Sequence, residues 1–384
     1  MNILYCTPAM YNSAGTERVL TQKVNYMVEK FGYHITIVTT DQKSRPLFFP
    51  LHADVKLIDL GLNYEDDLEE NLIKKVYCHF KKNHIYKKCL ERLLNEGNYD
   101  VCISLCGKEI EFLSSIRTSA YKMAEIHFSK QYIKYFSQGM STSLFSKLSA
   151  YIKTHYLVHN TQRLERLVVL TKKDIKDWQK SNDNVIQIYN SLPFRSCDES
   201  NCVNKRMIAA GRLSYQKGFD YLIRAWAIVE RYHSDWFLDI YGEGEKKEEL
   251  LHLINSESLK NVSLRGRTSN IREVYLKSSA FLMTSRYEGL GMVLLEASEY
   301  GLPLVSFDCE CGPSEVIDDG VNGFLVEMAN VQMFADKVIT LIEDDNLRCK
   351  MGRNAKKLVR RFSEDTIMIQ WKNMLEGCLN RADK

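Results

Sequence analysis

A strand–helix–strand pattern that occurs twice constrains this 384-residue chain more than any other feature. In the first copy Asn2–Cys6 reads as a buried strand, 7–15 as a loop, and Thr16–Phe31 as a helix with Val19, Leu20, Val24, Met27, Val28 and Phe31 on one face. Gly32 ends that helix and His34–Thr39 is the next strand. In the second copy Arg206–Ala210 is the strand, 211–218 the loop and Phe219–Tyr232 the helix, with Leu222, Ile223, Trp226 and Val229 inward; Phe237–Tyr241 follows. Each copy is a βαβ unit, and such units are joined into parallel sheets by right-handed crossovers. Further strand candidates are Val101–Leu105, Val168–Leu170 and Val185–Tyr189 in the first half, and Val262–Leu264, Ala280–Thr284, Pro303–Ser306 and Phe324–Val326 in the second. The stretch 190–204 has no periodicity and reads as a linker. The expectation is an α/β protein of two Rossmann-like domains. Residues 1–192 form the first and 203–363 the second. An amphipathic C-terminal helix, 364–384, packs back on the first through Trp371 and Leu375. Ligands of such sheets sit at the carboxyl ends of the strands.

Composition bounds the function classes. At 45% hydrophobic and 26% charged the chain can bury a sizeable core, and a net charge of +3 does not suggest a nucleic-acid partner. Eleven cysteines lie scattered without a CxxC pair or a zinc spacing. There is no signal-peptide layout at Met1 and no uncharged apolar run of spanning length, so a reduced, cytoplasmic protein is expected.

The richest chemistry lies in Ser285-Arg286-Tyr287-Glu288-Gly289-Leu290-Gly291-Met292-Val293-Leu294-Leu295-Glu296. The apolar run before it reads as a strand and the run from Met292 as a helix, so Glu288 falls on a strand-to-helix loop with Glu296 about two turns on. Gly289, Leu290 and Gly291 leave backbone amides at a helix N-terminus, an arrangement that favours phosphate. Carboxylates instead accept hydrogen bonds from hydroxyls. Phosphate donors between two hydroxyl acceptors suit a nucleotide-sugar. Arg212 and Lys217, on the loop after the second domain's first strand, supply two cations for a departing diphosphate. No Asp-x-Asp occurs, which fits a site with no metal and no cofactor beyond the donor substrate itself.

The second half resembles the retaining GT-B glycosyltransferases of family 4, the glycosyltransferases of group 1. The resemblance runs in order through Ala209-Ala210-Gly211-Arg212-Leu213, Lys217-Gly218, Tyr241-Gly242-Glu243-Gly244, Gly266, the Glu288 and Glu296 pair, Gly312-Pro313-Ser314-Glu315-Val316-Ile317 and Gly320-Val321-Asn322-Gly323-Phe324. It implies the GT-B fold, with two Rossmann-like domains facing each other across a cleft. Glu288 would then accept from hexose hydroxyls and Glu296 from the ribose. The Leu290 and Gly291 amides would reach the phosphates, and the loop of Gly266 and Arg267 would touch the nucleobase. In the first half Ala14-Gly15-Thr16 stands where the family often has two glycines, and Gly15 would let the backbone approach the donor. His127, two residues after Glu125, stands where the family has a histidine facing the sugar. The resemblance also implies retention by a front-face route, in which the leaving phosphate helps deprotonate the acceptor.

Two segments are basic and aromatic. Residues 71–92 place Ile73, Val76, Tyr77, Phe80 and His84 at helical spacing among seven basic residues and one acid, Glu91. Residues 130–157 add Tyr132, Tyr135, Phe136, Leu144, Phe145, Leu148, Tyr151 and Ile152 without any acid. Both read as contacts to an anionic membrane surface. The expected protein is a retaining, metal-independent glycosyltransferase, peripheral on the inner face of the cell membrane. It moves a hexose or N-acetylhexosamine from a nucleotide diphosphate, UDP first, to a lipid-linked or growing oligosaccharide of a cell-surface polysaccharide. A non-catalytic nucleotide-sugar-binding regulator or scaffold is the alternative. A dinucleotide oxidoreductase is disfavoured because the first loop lacks Gly-x-Gly-x-x-Gly.

Overall fold

The computed structural model describes residues 1–12, 15–67, 69–130 and 144–382. It forms two compact units: Met1–Pro193 with the chain from Asp365 onward, and Phe194–Glu364.

In the first unit seven strands form one parallel sheet: β1 (Asn2–Cys6), β2 (His34–Thr39), β3 (Lys56–Asp59), β4 (Val101–Ser104), β5 (Tyr121–Glu125), β6 (Arg166–Val169) and β7 (Val185–Gln187). Their order is β3-β2-β1-β4-β5-β6-β7. β3 and β5 were not foreseen, because neither combines an unbroken apolar run with turn signals: β3 reads Lys-Leu-Ile-Asp and β5 carries Lys122 and Glu125. Helices cover both faces. On one side α1 (Gly15–Phe31) packs Leu20, Val24 and Met27 beside Ile367, Met368, Trp371 and Leu375 of the C-terminal helix Glu364–Ala382. On the other, Tyr86, Leu90 and Leu94 of α2 (Leu72–Glu96) meet Trp178.

The second unit repeats the plan. β8 (Arg206–Ala210), β9 (Phe237–Tyr241), β10 (Val262–Gly266), β11 (Ala280–Met283), β12 (Leu304–Phe307) and β13 (Gly323–Val326) form a parallel sheet in the order β10-β9-β8-β11-β12-β13. Its core joins Leu222, Ile223, Trp226 and Val229 of helix Phe219–Tyr232 to Phe334, Val338 and Leu341 of helix Val331–Glu343. The segment after Pro193 has neither helix nor strand, yet it is fastened to this unit. The Ser196 amide donates to Glu299 at 2.7 Å, the Ser200 amide to the Tyr300 carbonyl at 2.8 Å, and Arg272 pairs with Asp198.

Strand order in each sheet reverses direction at one place, between β1 and β4 and between β8 and β11. Loops leaving the carboxyl ends of the strands diverge there, and open parallel sheets bind ligands at such points.

Candidate functional site

At the second unit's switch point two loops lie side by side. One runs from Gly211 to Gly218 after β8; the other runs from Thr284 to Gly291 after β11 and opens the helix Met292–Glu299. Gly218 sits at φ +61°, and a Cβ there would collide with the Thr284 carbonyl oxygen, so only glycine lets the loops touch. The Thr284 hydroxyl completes the contact by donating to the Gly218 carbonyl at 2.9 Å.

This seam brings predicted residues together. Lys217 Nζ donates to Glu288 Oε1 at 2.6 Å, and the buried Ser285 hydroxyl donates to the same oxygen at 2.6 Å. Glu288 is therefore a buried carboxylate held by one cation and one hydroxyl. Burial first, and then the charge of Glu288, push the neighbouring Cys309 thiol well up. Arg212 is exposed on the Lys217 loop and makes no ion pair among the described residues. Gly289 and Leu290 are overlaid by Gly312, where a Cβ would come 2.9 Å from the Gly289 carbonyl oxygen. Gly291, at φ +80°, is the N-cap of the Met292–Glu299 helix and offers no side chain to its first amides. The site can thus present two cations and uncapped amides to an anion, and carboxylate oxygens to hydroxyls.

Other predicted residues lie further out. Glu296 is buried on the helix and accepts from Tyr275 Oη at 3.1 Å. Gly266 closes β10 at φ +70°, and the exposed Arg267 Nε lies 3.0 Å from Glu243 Oε2. In the first unit Gly15 begins α1, directly after residues 13 and 14, which lie outside the described part.

His127 follows β5, and its surroundings were not foreseen. Glu125 Oε1 accepts from Lys23 Nζ of α1, and both side chains are at least 95% buried. His127 Nε2 lies 3.1 Å from that oxygen, without the alignment of a hydrogen bond. The Lys23 ammonium lies 3.9 Å from the centre of the Trp371 ring, a cation–π contact, and Glu125 Oε2 is buried with no hydrogen-bond partner among the described residues. Burial pushes the Glu125 carboxyl up, but the charges of Lys23 and then His127 outweigh it and hold it at about 2.

The basic segments divide. Ile73, Val76, Tyr77 and Phe80 of α2 are exposed, because its inward face is instead Tyr86, Leu90 and Leu94. Tyr151, Ile152 and Tyr156 are exposed as well. Tyr132, Lys134, Tyr135 and Phe136 lie outside the described residues, as do the side chains of Leu144, Phe145, Lys147 and Leu148. No helix among the described residues is long and apolar enough to cross a membrane.

Residues 200–358 match the family model of glycosyl transferases group 1. The chain is 26% identical over 370 residues to an uncharacterized glycosyltransferase of Haemophilus influenzae, covering 95% of this chain and 97% of the relative. It is 34% identical over 225 residues to the amylovoran biosynthesis glycosyltransferase AmsD of Erwinia amylovora, covering 55% and 62%. A poly(ribitol-phosphate) alpha-N-acetylglucosaminyltransferase of Staphylococcus aureus is 28% identical over 238 residues, covering 61% and 48%. Among solved structures TarM superposes with a TM-score of 0.78 at 18% identity, over 97% of this chain and 98% of that one. The two doubly wound sheets and these relatives define a glycosyltransferase with the GT-B fold. Within that class, it is residues 200–358 that carry the likeness to the glycosyl transferases of group 1.

Proposed function

We propose that the protein is a retaining, metal-independent glycosyltransferase. It transfers a hexose or N-acetylhexosamine from a UDP-sugar to a lipid-linked or growing oligosaccharide of a cell-surface polysaccharide. The observation that carries this reading is the Lys217–Glu288 contact at 2.6 Å, set at the sheet's switch point beside the uncapped helix behind Gly291. When a donor enters, its diphosphate takes the Lys217 ammonium, Arg212 and the Leu290 and Gly291 amides. Charge growing on the leaving diphosphate is met by groups already in place, each typically worth about 3 kcal/mol in a dry site. Glu288 then accepts from the hexose and Glu296 from the ribose, with Gly266 and Arg267 near the base. Gly15 and His127 are the residues of the first unit proposed for sugar binding. The relatives' names support assembly of a surface polymer: one acts in amylovoran biosynthesis and one transfers α-linked N-acetylglucosamine to poly(ribitol-phosphate).

Membrane contact is part of the proposal. The exposed Ile73, Val76, Tyr77 and Phe80 lie among Lys74, Lys75 and Lys81, which suits an anionic lipid surface on the cytoplasmic side. Release of UDP from UDP-glucose and UDP-N-acetylglucosamine tests the donor chemistry, with and without EDTA. Turnover that survives EDTA and falls at least 100-fold, roughly, in Lys217→Ala supports it. Turnover abolished by EDTA, or unchanged in Lys217→Ala, overturns it.

A further inference from the structure

Arg286 is two residues from Glu288, yet its side chain points its chemistry at the other loop. Nη1 and Nη2 fork onto Asp220 Oδ1 and Oδ2 at 2.9 and 2.7 Å. Nη1 also donates to the Tyr215 carbonyl at 2.8 Å. The guanidinium lies 4.1 Å from the centre of the Tyr215 ring and 4.4 Å from that of Tyr221. Three further hydrogen bonds run along the same line. The Arg286 amide donates to the Gln216 carbonyl at 2.7 Å, Gln216 Nε2 donates to the Tyr287 carbonyl at 3.1 Å, and Thr284 reaches Gly218 as described. Lys217 is thus enclosed on its own loop by residues 215, 216, 218, 220 and 221, and four of these five touch Arg286.

A forked, doubly stacked arginine is far more than a surface ion pair. Guanidinium geometry matches a carboxylate through two parallel bonds and lies flat on aromatic faces, and a lysine can do neither. The strong groups here face one another, not a ligand. What they fix is the position of Lys217 relative to Glu288.

We propose that Arg286 is a positioning residue for the donor: through Asp220, Tyr215 and Tyr221 it clamps the Lys217 loop to the Glu288 loop, so that the Lys217 ammonium stands ready for a sugar diphosphate. This rests on the donor reading above. Misplacing a charged group by about 1 Å can cost roughly 100-fold in turnover.

The test is a binding cycle with UDP as the probe, read by calorimetry on the full chain, with thermal unfolding of each variant alongside. Arg286→Gln should weaken UDP at least tenfold, and Arg286→Lys should not restore it. In a Lys217→Ala background Arg286→Gln should weaken UDP by less than twofold, because the residue through which it acts is gone. Tyr215→Leu, at a half-exposed ring, removes one stacking face and should weaken UDP less than Arg286→Gln but with the same non-additivity; it serves if the arginine variants do not fold. Full UDP affinity in folded Arg286→Gln, rescue by lysine, or losses that multiply in the double variant would each overturn the clamp. If the wild-type protein binds neither UDP nor a UDP-sugar, the donor reading itself fails; if wild type binds and the variants match it, only the clamp does.

Discussion

Replacing Lys23 by methionine removes one charge from a place where water cannot compensate for the loss. Lys23 and Glu125 are both at least 95% buried, and Glu125 Oε2 already lacks a hydrogen-bond partner among the described residues. Without the ammonium, the charged group left beside the carboxylate among the described residues is His127, 3.1 Å away and out of line. Breaking one partner out of a buried pair costs about 3–5 kcal/mol. Methionine fills the lysine stem's space beside Trp371, so little of that cost is cavity. The first unit has about 210 residues, which at about 2.1 cal/mol/K per residue gives an unfolding entropy near 0.45 kcal/mol/K. The loss therefore lowers the Tm of that unit's transition by about 7–11 °C. Differential scanning calorimetry measures it. Making the neighbour neutral as well, in Lys23→Met/Glu125→Gln, should recover more than half of the drop, because the cost lies in the orphaned charge. A fall of less than about 2 °C in the single variant, or a double variant no better than the single, would refute the reasoning.

The same pair sets a pH dependence. Glu125 is held at about 2 in the folded protein, against about 4.3 when unfolded. A depressed carboxyl contributes stability fully present above its unfolded value and lost as pH falls through its folded one. The stability gap between wild type and Glu125→Gln should accordingly narrow between about pH 4.3 and pH 2 in urea titrations; a gap that does not change with pH would count against the pairing. Gly218→Ala forces a Cβ onto the Thr284 carbonyl at φ +61° and should cost the second unit about 1–3 kcal/mol together with most UDP affinity, measured by unfolding and calorimetry. For the lipid contact, Tyr77→Ser/Phe80→Ser removes two exposed rings, each worth about 1.5–3 kcal/mol when buried. Flotation with anionic vesicles should fall at least tenfold while UDP affinity stays; equal flotation would remove α2 from the lipid contact.

How much of this was legible in the sequence depends on the range over which each signal acts. Strands β1, β2, β8 and β9 and the Phe219–Tyr232 helix begin and end where their apolar periodicity does, since burial on both sheet faces leaves few polar positions inside them. β5 was missed because its last residue, Glu125, is charged, and an acid at a strand end reads as loop. The structure resolves that conflict with Lys23, 102 residues earlier. Lys23 itself carried a signal: it sits between Leu20, Val24 and Met27 on the inward face of α1, where a lysine needs a partner. Nothing local could say which partner. Arg286 is the same case in the second unit. Its motif flags the loop that carries Glu288, while the arginine's fork is spent on Asp220, 66 residues away on the first turn of another helix. Motif reading finds residues that would touch a ligand. It passes over residues that touch one another, and in both units those include buried or stacked charges, Lys23 with Glu125 and Arg286 with Asp220.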